Sequence, residues 1–179
     1  VRGTGIARRT PEYITKKMVN GNAVIALDGD TFAGFCYIEI WGHGKYVANS
    51  GLIVHPDYRG VGLAKKIKHK VFKHSRTKFP DAKVFSITTG LAVMKMNTDL
   101  GYKPVPFSEL TDDPTFWDGC QTCKNYDVLT RTNRKMCLCT GMLYDPNNKE
   151  KLKPRKITEK VFNRLIHIKE TMFLKKDKK

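Results

Sequence analysis

Two groups of residues in this sequence have types and spacings that could do chemistry. The first is Val54-His55-Pro56-Asp57-Tyr58-Arg59-Gly60-Val61-Gly62-Leu63-Ala64, an apolar segment leading through two close glycines into a stretch of helical period. Glycine lets a backbone approach a ligand closely, and the first turn of a helix carries N–H groups with no intrahelical partner. That order of parts suits a pyrophosphate cradle. It is not the dinucleotide fingerprint G-x-G-x-x-G, because Leu63, Ala64 and Lys65 follow Gly62, and there is no G-x-x-x-x-G-K-[ST] loop. Taken alone, it also fits an ordinary strand-to-helix turn. The second group is Cys120, Cys123, Cys137 and Cys139, two close pairs separated by a loop. Two such pairs can converge on one tetrahedral structural zinc, and four reduced thiols in the core are the other reading. On a strand, Cys137 and Cys139 would point to the same face, as joint ligation requires. Cys36 stands alone in an apolar run and reads as a small core residue.

Regular elements must hold these groups in place. Thr10-Pro11-Glu12 predicts a helix start, with Thr as N-cap and Pro where no N–H is needed. Tyr13, Ile14 and Met18 then recur at helical spacing until Asn20-Gly21. Residues 22–27 read as a strand, Asp28-Gly29-Asp30 as a tight turn and residues 31–41 as the partner strand. Gly42-His43-Gly44 turns into a third strand over residues 46–54. After the glycine loop, Leu63, Ala64, Ile67, Val71 and Phe72 line one helical face, while Lys65, Lys66, Lys68 and Lys70 are expected on the solvated one. Residues 83–89 read as a buried strand and residues 91–100 as a helix stopped by Gly101. Residues 102–107 are extended, and Pro104 and Pro106 suit an edge position. Residues 108–134 show no clear period. A last strand is expected over residues 136–144, a polar linker over 145–154 and a helix over 157–174. The apolar stripe of that helix (Ile157, Val161, Leu165, Ile168, Met172) packs on its own domain or on a second copy of the chain in a homodimer.

The run Arg59-Gly60-Val61-Gly62-Leu63-Ala64, with its Pro-x-Tyr-Arg-Gly lead-in, resembles the R/Q-x-x-G-x-G/A acyl-CoA motif of the GNAT family of N-acyltransferases. The order of elements over about residues 10–107 is similar as well. The resemblance implies an α+β fold: a mixed, mostly antiparallel sheet flanked by helices, here with a Cys-containing β hairpin and a C-terminal helix. The acyltransferase domain would occupy residues 1–145, and a basic linker and helix residues 146–179. Carried over residue by residue, the amides of Arg59, Gly60, Val61, Gly62, Leu63 and Ala64 would hold the pyrophosphate of acetyl-CoA or another acyl-CoA. The backbone of Leu52, Ile53 and Val54 would pair with pantetheine like an added strand. The strand over residues 83–89 would splay away from the one ending at Val54, leaving a gap for the thioester. The family fold has a strand and a helix before the helix placed at Thr10, so a start upstream of Val1 is expected.

The implied reaction is attack of a neutral amine on the thioester, which needs a base, oxyanion donors and an acid for the departing thiolate. Backbone N–H groups near Leu52, Ile53 and Val54 could be the donors. Many members carry a Tyr acid four residues before the Gly of a Gly-Phe/Tyr ending, and here that position is Asn97. Water, another hydroxyl such as Tyr126, or no side chain then protonates the thiolate. The position where some members carry a catalytic Glu is Ala48, which leaves Glu39 or His43, or Asn49 and Ser50 holding a water. A narrower resemblance lies in Phe35-Cys36-Tyr37-Ile38-Glu39, Val47-Ala48-Asn49-Ser50-Gly51-Leu52, Thr88-Thr89-Gly90-Leu91-Ala92-Val93 and the Cys-containing end. These segments look like a bacterial single-domain branch associated with arginine biosynthesis, which implies glutamate N-acylation with acetyl or succinyl groups. It would place Asn49, Ser50, Thr88 and Thr89 at the acceptor, with Arg8, Arg9 or Lys16 meeting a carboxylate.

Composition sets the outer bounds. The 179 residues are 40% hydrophobic and 28% charged, which suits one packed domain and excludes disorder and large multidomain enzymes. No apolar run is long enough for a membrane span, and the first twenty residues carry charges where a signal peptide is apolar, so a cytoplasmic protein without a membrane partner is expected. The net charge is +16, with a pI of about 9.7, which calls for anionic partners. Residues 150–179 hold eleven basic and four acidic residues, so the excess is not confined to the tail. Such a field repels polyamines, Lys-rich tails and aminoglycosides and favours acyl-CoA and a small acidic amino acid, within a screening length of about 10 Å. Two rivals remain: a basic, zinc-containing nucleic-acid-binding module and a non-catalytic CoA-binding sensor. The first lacks aromatic residues interleaved with the Lys runs. The unmatched Tyr keeps the second open.

Overall fold

The computed structural model describes residues 9–148. The chain divides into two compact units, Val1–Asn147 and Asn148–Lys179. The expected helix over residues 157–174, Arg8 and the question of an upstream strand all lie outside the described residues.

Helix α1 (Pro11–Val19) begins where the Thr-Pro pair predicts it, with Thr10 Oγ1 accepting from Tyr13 N–H at 3.3 Å. Strands β1 (Ala23–Asp28), β2 (Thr31–Trp41) and β3 (Tyr46–Val54) form an antiparallel meander. Helix α2 (Leu63–Lys78) then crosses over to β4 (Lys83–Thr88), which pairs parallel to β3. Helix α3 (Leu91–Asp99) leads to the short strand β5 (Lys103–Val105), and β6 (Thr140–Tyr144) inserts between β4 and β5. The sheet order is β1-β2-β3-β4-β6-β5, so the proline-bearing β5 lies at the edge, as its sequence predicts. This is the mixed, mostly antiparallel α+β sheet expected.

Period-two alternation assigns each side chain to a face. Cys36, Ile38 and Val47 pack against Ile67 and Val71 of α2. On the other face, Ala48, Phe85 and Leu143 pack against Phe107, Leu110, Phe116, Trp117 and Leu129. Each fully buried aliphatic or aromatic side chain contributes about 1.5–3 kcal/mol, so this second cluster can anchor the segment between β5 and β6 although it has little regular structure of its own. That segment contains two short helices, α4 (Pro114–Asp118) and α5 (Tyr126–Arg131).

Two expectations need correction. Strand β6 begins at Thr140 and not at residue 136, so Cys137 and Cys139 lie on irregular chain and all four late cysteines belong to the β5–β6 connection, not to hairpin strands. The cause is local: Asn133 and Arg134 have positive φ, and Thr132 Oγ1 lies 3.1 Å from Met136 N and 2.7 Å from its carbonyl oxygen, occupying groups a strand would need. The second concerns Lys68, which is 2% exposed where a solvated lysine was expected. It lies four residues after Ala64 and four before Phe72, so it belongs to the same helical stripe as those apolar residues.

Candidate functional site

Between Val54 and α2 the chain takes one short 3-10 turn over Pro56–Tyr58 and then the two glycines, with φ +83° at Gly60 and +82° at Gly62. These are left-handed conformations that disfavour any residue with a Cβ. Gly62 is the N-cap of α2, and the first intrahelical bond runs from Lys66 N–H to the Gly62 carbonyl at 3.2 Å. The amides of Leu63, Ala64 and Lys65 therefore have no intrahelical acceptor and face outward at the positive end of a helix with no acidic residue in its first turn. Tyr58 OH donates to Asp28 at 3.0 Å and Arg59 Nε donates to the Val54 carbonyl at 3.2 Å, fixing the loop to the strand ends. This is the strand, glycine loop and helix start that the sequence predicts.

Strands β3 and β4 pair only over Tyr46↔Lys83, Val47↔Val84 and Ala48↔Phe85, and part beyond that point. The parting is reinforced from the other side. The β2–β3 register slips between Phe35↔Ile53 and Tyr37↔Ser50, so Gly51 and Leu52 bulge. Gly51 has φ +65°, and a Cβ there would meet the Tyr37 ring at 2.3 Å, so only glycine fits. A cavity of about 600 Å³ occupies the region of the gap. Its walls come from both faces of the sheet: Lys68 of α2 on one, and Tyr37, Glu39, Phe116 and Trp117 on the other, with Ser50, Leu52, Ile53, Ser86 and Thr88 at the gap.

Glu39 is the main charged group on that second face. It is 2% exposed and sits directly across from Ala48. Tyr13 OH donates to its Oε1, and Ser50 Oγ donates to its Oε2 at 2.7 Å. Burial, with Glu39 beside it, pushes the Tyr37 phenol up to about 12, and burial together with the hydrogen bond to Glu39 also raises Tyr13. Both phenols therefore remain donors at neutral pH. Arg9 donates from Nη1 to the Gly119 carbonyl at 3.1 Å and lies over the Tyr13 ring, 5.4 Å from its centroid. Both Arg9 and Glu39 line the cavity, so one chamber holds a carboxylate and a guanidinium.

The other expected acceptor residues divide. Ser50 and Thr88 line the cavity, and Thr88 Oγ1 accepts from Gly90 N–H at 3.0 Å. Thr89, His43 and Lys16 are exposed and do not line it. The Asn49 amide is turned to the α2 face, where Nδ2 donates to Ser75 Oγ at 2.8 Å and Oδ1 accepts from Tyr102 OH at 3.0 Å, so its polar atoms are committed to the core. Asn97 is fully buried: Nδ2 donates to Ser86 Oγ at 2.7 Å and Oδ1 has no partner. Tyr126 lines the cavity at the start of α5.

All four late cysteines line the same cavity, yet among the described residues no three His, Cys, Asp or Glu side chains are grouped to hold a metal ion. Of the two readings that their spacing allows, zinc or four reduced thiols, the zinc one finds no support in this arrangement. Burial first, and then the neighbouring thiols, push Cys120 up to about 11 and Cys139 up to about 12.

Three side chains of the candidate site were not visible as such in the sequence: Tyr37 and Lys68, which line the cavity, and Tyr13, which bonds to Glu39. Tyr37 and Glu39 share a face because they are two apart on β2, a signal that was available. Lys68 had the stripe signal described above. Tyr13 carries no local mark, because only the packing of α1 on the sheet brings it to Glu39.

Among solved structures, the fold is similar to N-acetylglutamate synthase from Neisseria gonorrhoeae, solved with coenzyme A and N-acetyl-glutamate (TM-score 0.58, 13% identity, 79% of this chain and 29% of that one). It is also similar to Rv2747 from Mycobacterium tuberculosis, solved with CoA and NLQ (TM-score 0.58, 12% identity, 80% and 86% of the two chains). A Bacillus subtilis acetyltransferase solved with CoA is a third relative in fold (TM-score 0.52, 13% identity, 78% and 86%). At such identities the likeness is one of fold. No curated protein matches the sequence significantly. The model of the acetyltransferase (GNAT) family, however, matches residues 2–95. Because that match takes in more than half of the sequence, including the glycine loop and the start of α3, the chain belongs to the GNAT family of acetyltransferases.

Proposed function

We propose that the protein transfers an acyl group, acetyl or succinyl, from acyl-CoA to the amine of a small amino acid, with glutamate the first acceptor to test. Support for the donor comes from the loop of Gly60, Val61, Gly62, Leu63 and Ala64, whose amides suit a pyrophosphate, whereas the Arg59 amide, expected to join them, donates to the Pro56 carbonyl at 3.1 Å; it comes also from the parted β3 and β4, whose gap suits a pantetheine arm along Leu52, Ile53 and Val54. Several proteins of similar fold were solved with CoA. The observation that carries the acceptor reading is the pairing of Glu39 and Arg9 in one cavity. A free amino acid presents an ammonium and a carboxylate, and these two side chains are the complementary charges. Glu39 would hold the ammonium, accept its proton and leave a neutral amine nucleophile at the gap. The net charge of +16 works in the same direction, against polycationic amines.

The test is thiol release from acetyl-CoA and succinyl-CoA across a panel of amino acids and polyamines. Turnover is expected with an acidic amino acid and not with polyamines, and Glu39→Gln should lower kcat by about 10²-fold or more. Acylation of polyamines in preference to amino acids, or full activity in Glu39→Gln, refutes the acceptor reading.

A further inference from the structure

We propose that Lys68 is the acid that protonates the departing CoA thiolate. The inference rests on the acyl-CoA reading above and adds a residue that the GNAT motif does not contain. Lys68 lies in the second turn of α2, just after the glycine loop, and lines the cavity on the α2 side of the gap. It is 2% exposed, and among the described residues no carboxylate acts on its charge, only the Cys36 thiol. Its Nζ lies instead over the Tyr102 ring, 5.4 Å from the centroid. A buried lysine without a counter-ion is costly, and it is explained here by a ligand that develops negative charge beside it. Glu39 belongs to the opposite face of the sheet, so the base and the proposed acid stand on the two sides of the opening that a thioester would occupy.

Two neighbouring side chains are committed elsewhere, while Tyr126, which lines the same cavity from the Glu39 face of the sheet, is the rival hydroxyl. Asn97, at the position where the family pattern carries Tyr, has no acidic proton, and its amide is tied to Ser86. The Tyr102 hydroxyl is given to Asn49. The titratable groups facing Lys68 are Cys36 of β2 and Tyr102 after α3. Burial raises both, Cys36 to about 11, so neither ionises in the neutral range. Burial lowers Lys68 itself to about 8, close to the ordinary thiol value of about 8.5. Proton transfer between a matched acid and thiolate needs little driving force, and the ammonium still predominates at pH 7.

The proton inventory closes. The acceptor nitrogen loses two protons in becoming an amide, both leaving through Glu39 to solvent. Its lone pair forms the C–N bond, the C–S bond breaks with its electrons on sulfur, and sulfur takes the proton from Nζ. Lys68 is reprotonated from water as CoA leaves, so one proton is released per turnover.

The experiment compares wild type with Lys68→Met in two assays. In the first, the thiol of bound CoA is titrated by thiolate absorbance, as the difference between CoA and desulfo-CoA complexes. The thiol should ionise about one pH unit or more lower in wild type, as expected beside an ammonium. In the second, kcat of Lys68→Met should fall about 10²-fold with unchanged affinity for acyl-CoA, and the alkaline limb near pH 8 should vanish. Equal thiol titrations in the two proteins overturn the proposal, as does full kcat in the variant. A thiol shift without acylation of any amine keeps Lys68 at the sulfur and sinks the acceptor reading, whereas acylation at equal rates by both proteins does the reverse.

Discussion

The buried lysine makes a prediction about stability that needs no ligand. Lys68→Met replaces a cation by an uncharged chain of similar length in a site that is 2% exposed. In the folded protein Lys68 titrates at about 8 instead of at the usual 10.5. A difference of one pH unit between the folded and unfolded titration points corresponds to about 1.4 kcal/mol, so holding the charged form in place costs about 3 kcal/mol at pH 7. The sign follows from proton counts. Below pH 8 both folded and unfolded states carry the proton and the full cost is present; between about 8 and 10.5 the unfolded state binds more protons, and stability rises with pH. Raised thiols at Cys120 and Cys139 push the other way above pH 8.5 in both proteins and cancel in the difference, whereas Cys36, which the Lys68 charge holds down, is raised further in the variant. Urea unfolding at pH 7 should therefore show Lys68→Met more stable by about 3 kcal/mol, narrowing toward pH 10. A variant less stable than wild type at pH 7, or a gap independent of pH, would refute the view of Lys68 as an uncompensated cation.

Three other outcomes are expected. Gly62→Val should lower CoA affinity by tenfold or more, about 1.4 kcal/mol, as read by calorimetry; open space around the position leaves only a backbone strain of about 1–2 kcal/mol on the fold. Asn97→Tyr, though it restores the family residue, should lose about 1–3 kcal/mol by overpacking a fully buried site against Ser86 and Met142, visible as a fall in Tm without gain in kcat. Because Cys120 and Cys139 hold their protons to about 11 and 12, mass spectrometry should find both alkylated slowly by iodoacetamide at pH 8, and at the same rate after treatment with a zinc chelator.

Strong local signals were readable in the sequence, and long-range pairings were not. The Thr10-Pro11 start, the glycine turns of the meander and the change of period after Gly62 each state their structure within a few residues, and each element lies where it was expected. Even the edge position of β5 follows from Pro104. Residues 108–139 behave differently because tertiary burial of Phe107, Phe116, Trp117 and Leu129 holds them, and no periodicity encodes that. The placement of Cys137 and Cys139 on one strand face failed for a related reason: it was inferred from a strand that Thr132 and two positive-φ residues prevent from starting.

The site shows the same division. Counting along β3 identified Ala48 as the place where a catalytic carboxylate was due, and cross-strand pairing puts Glu39 opposite it, so the carboxylate is displaced by one strand and still reaches the same space. Lys68 is the analogous case on the other face. The acid expected on α3 is replaced by Asn97, and the buried cation comes from α2, across the same gap. A single sequence can mark each absence, since an Asn or an Ala stands where a reactive group is due. Finding the replacement requires the neighbours that only the folded sheet supplies, because neither pair lies within a few residues along the chain. The two displacements also bear on each other. In the roles proposed for them, Glu39 on β2 as base and Lys68 on α2 as acid would keep opposite sides of the parted strands, one beside the attacking amine and the other beside the departing thiolate.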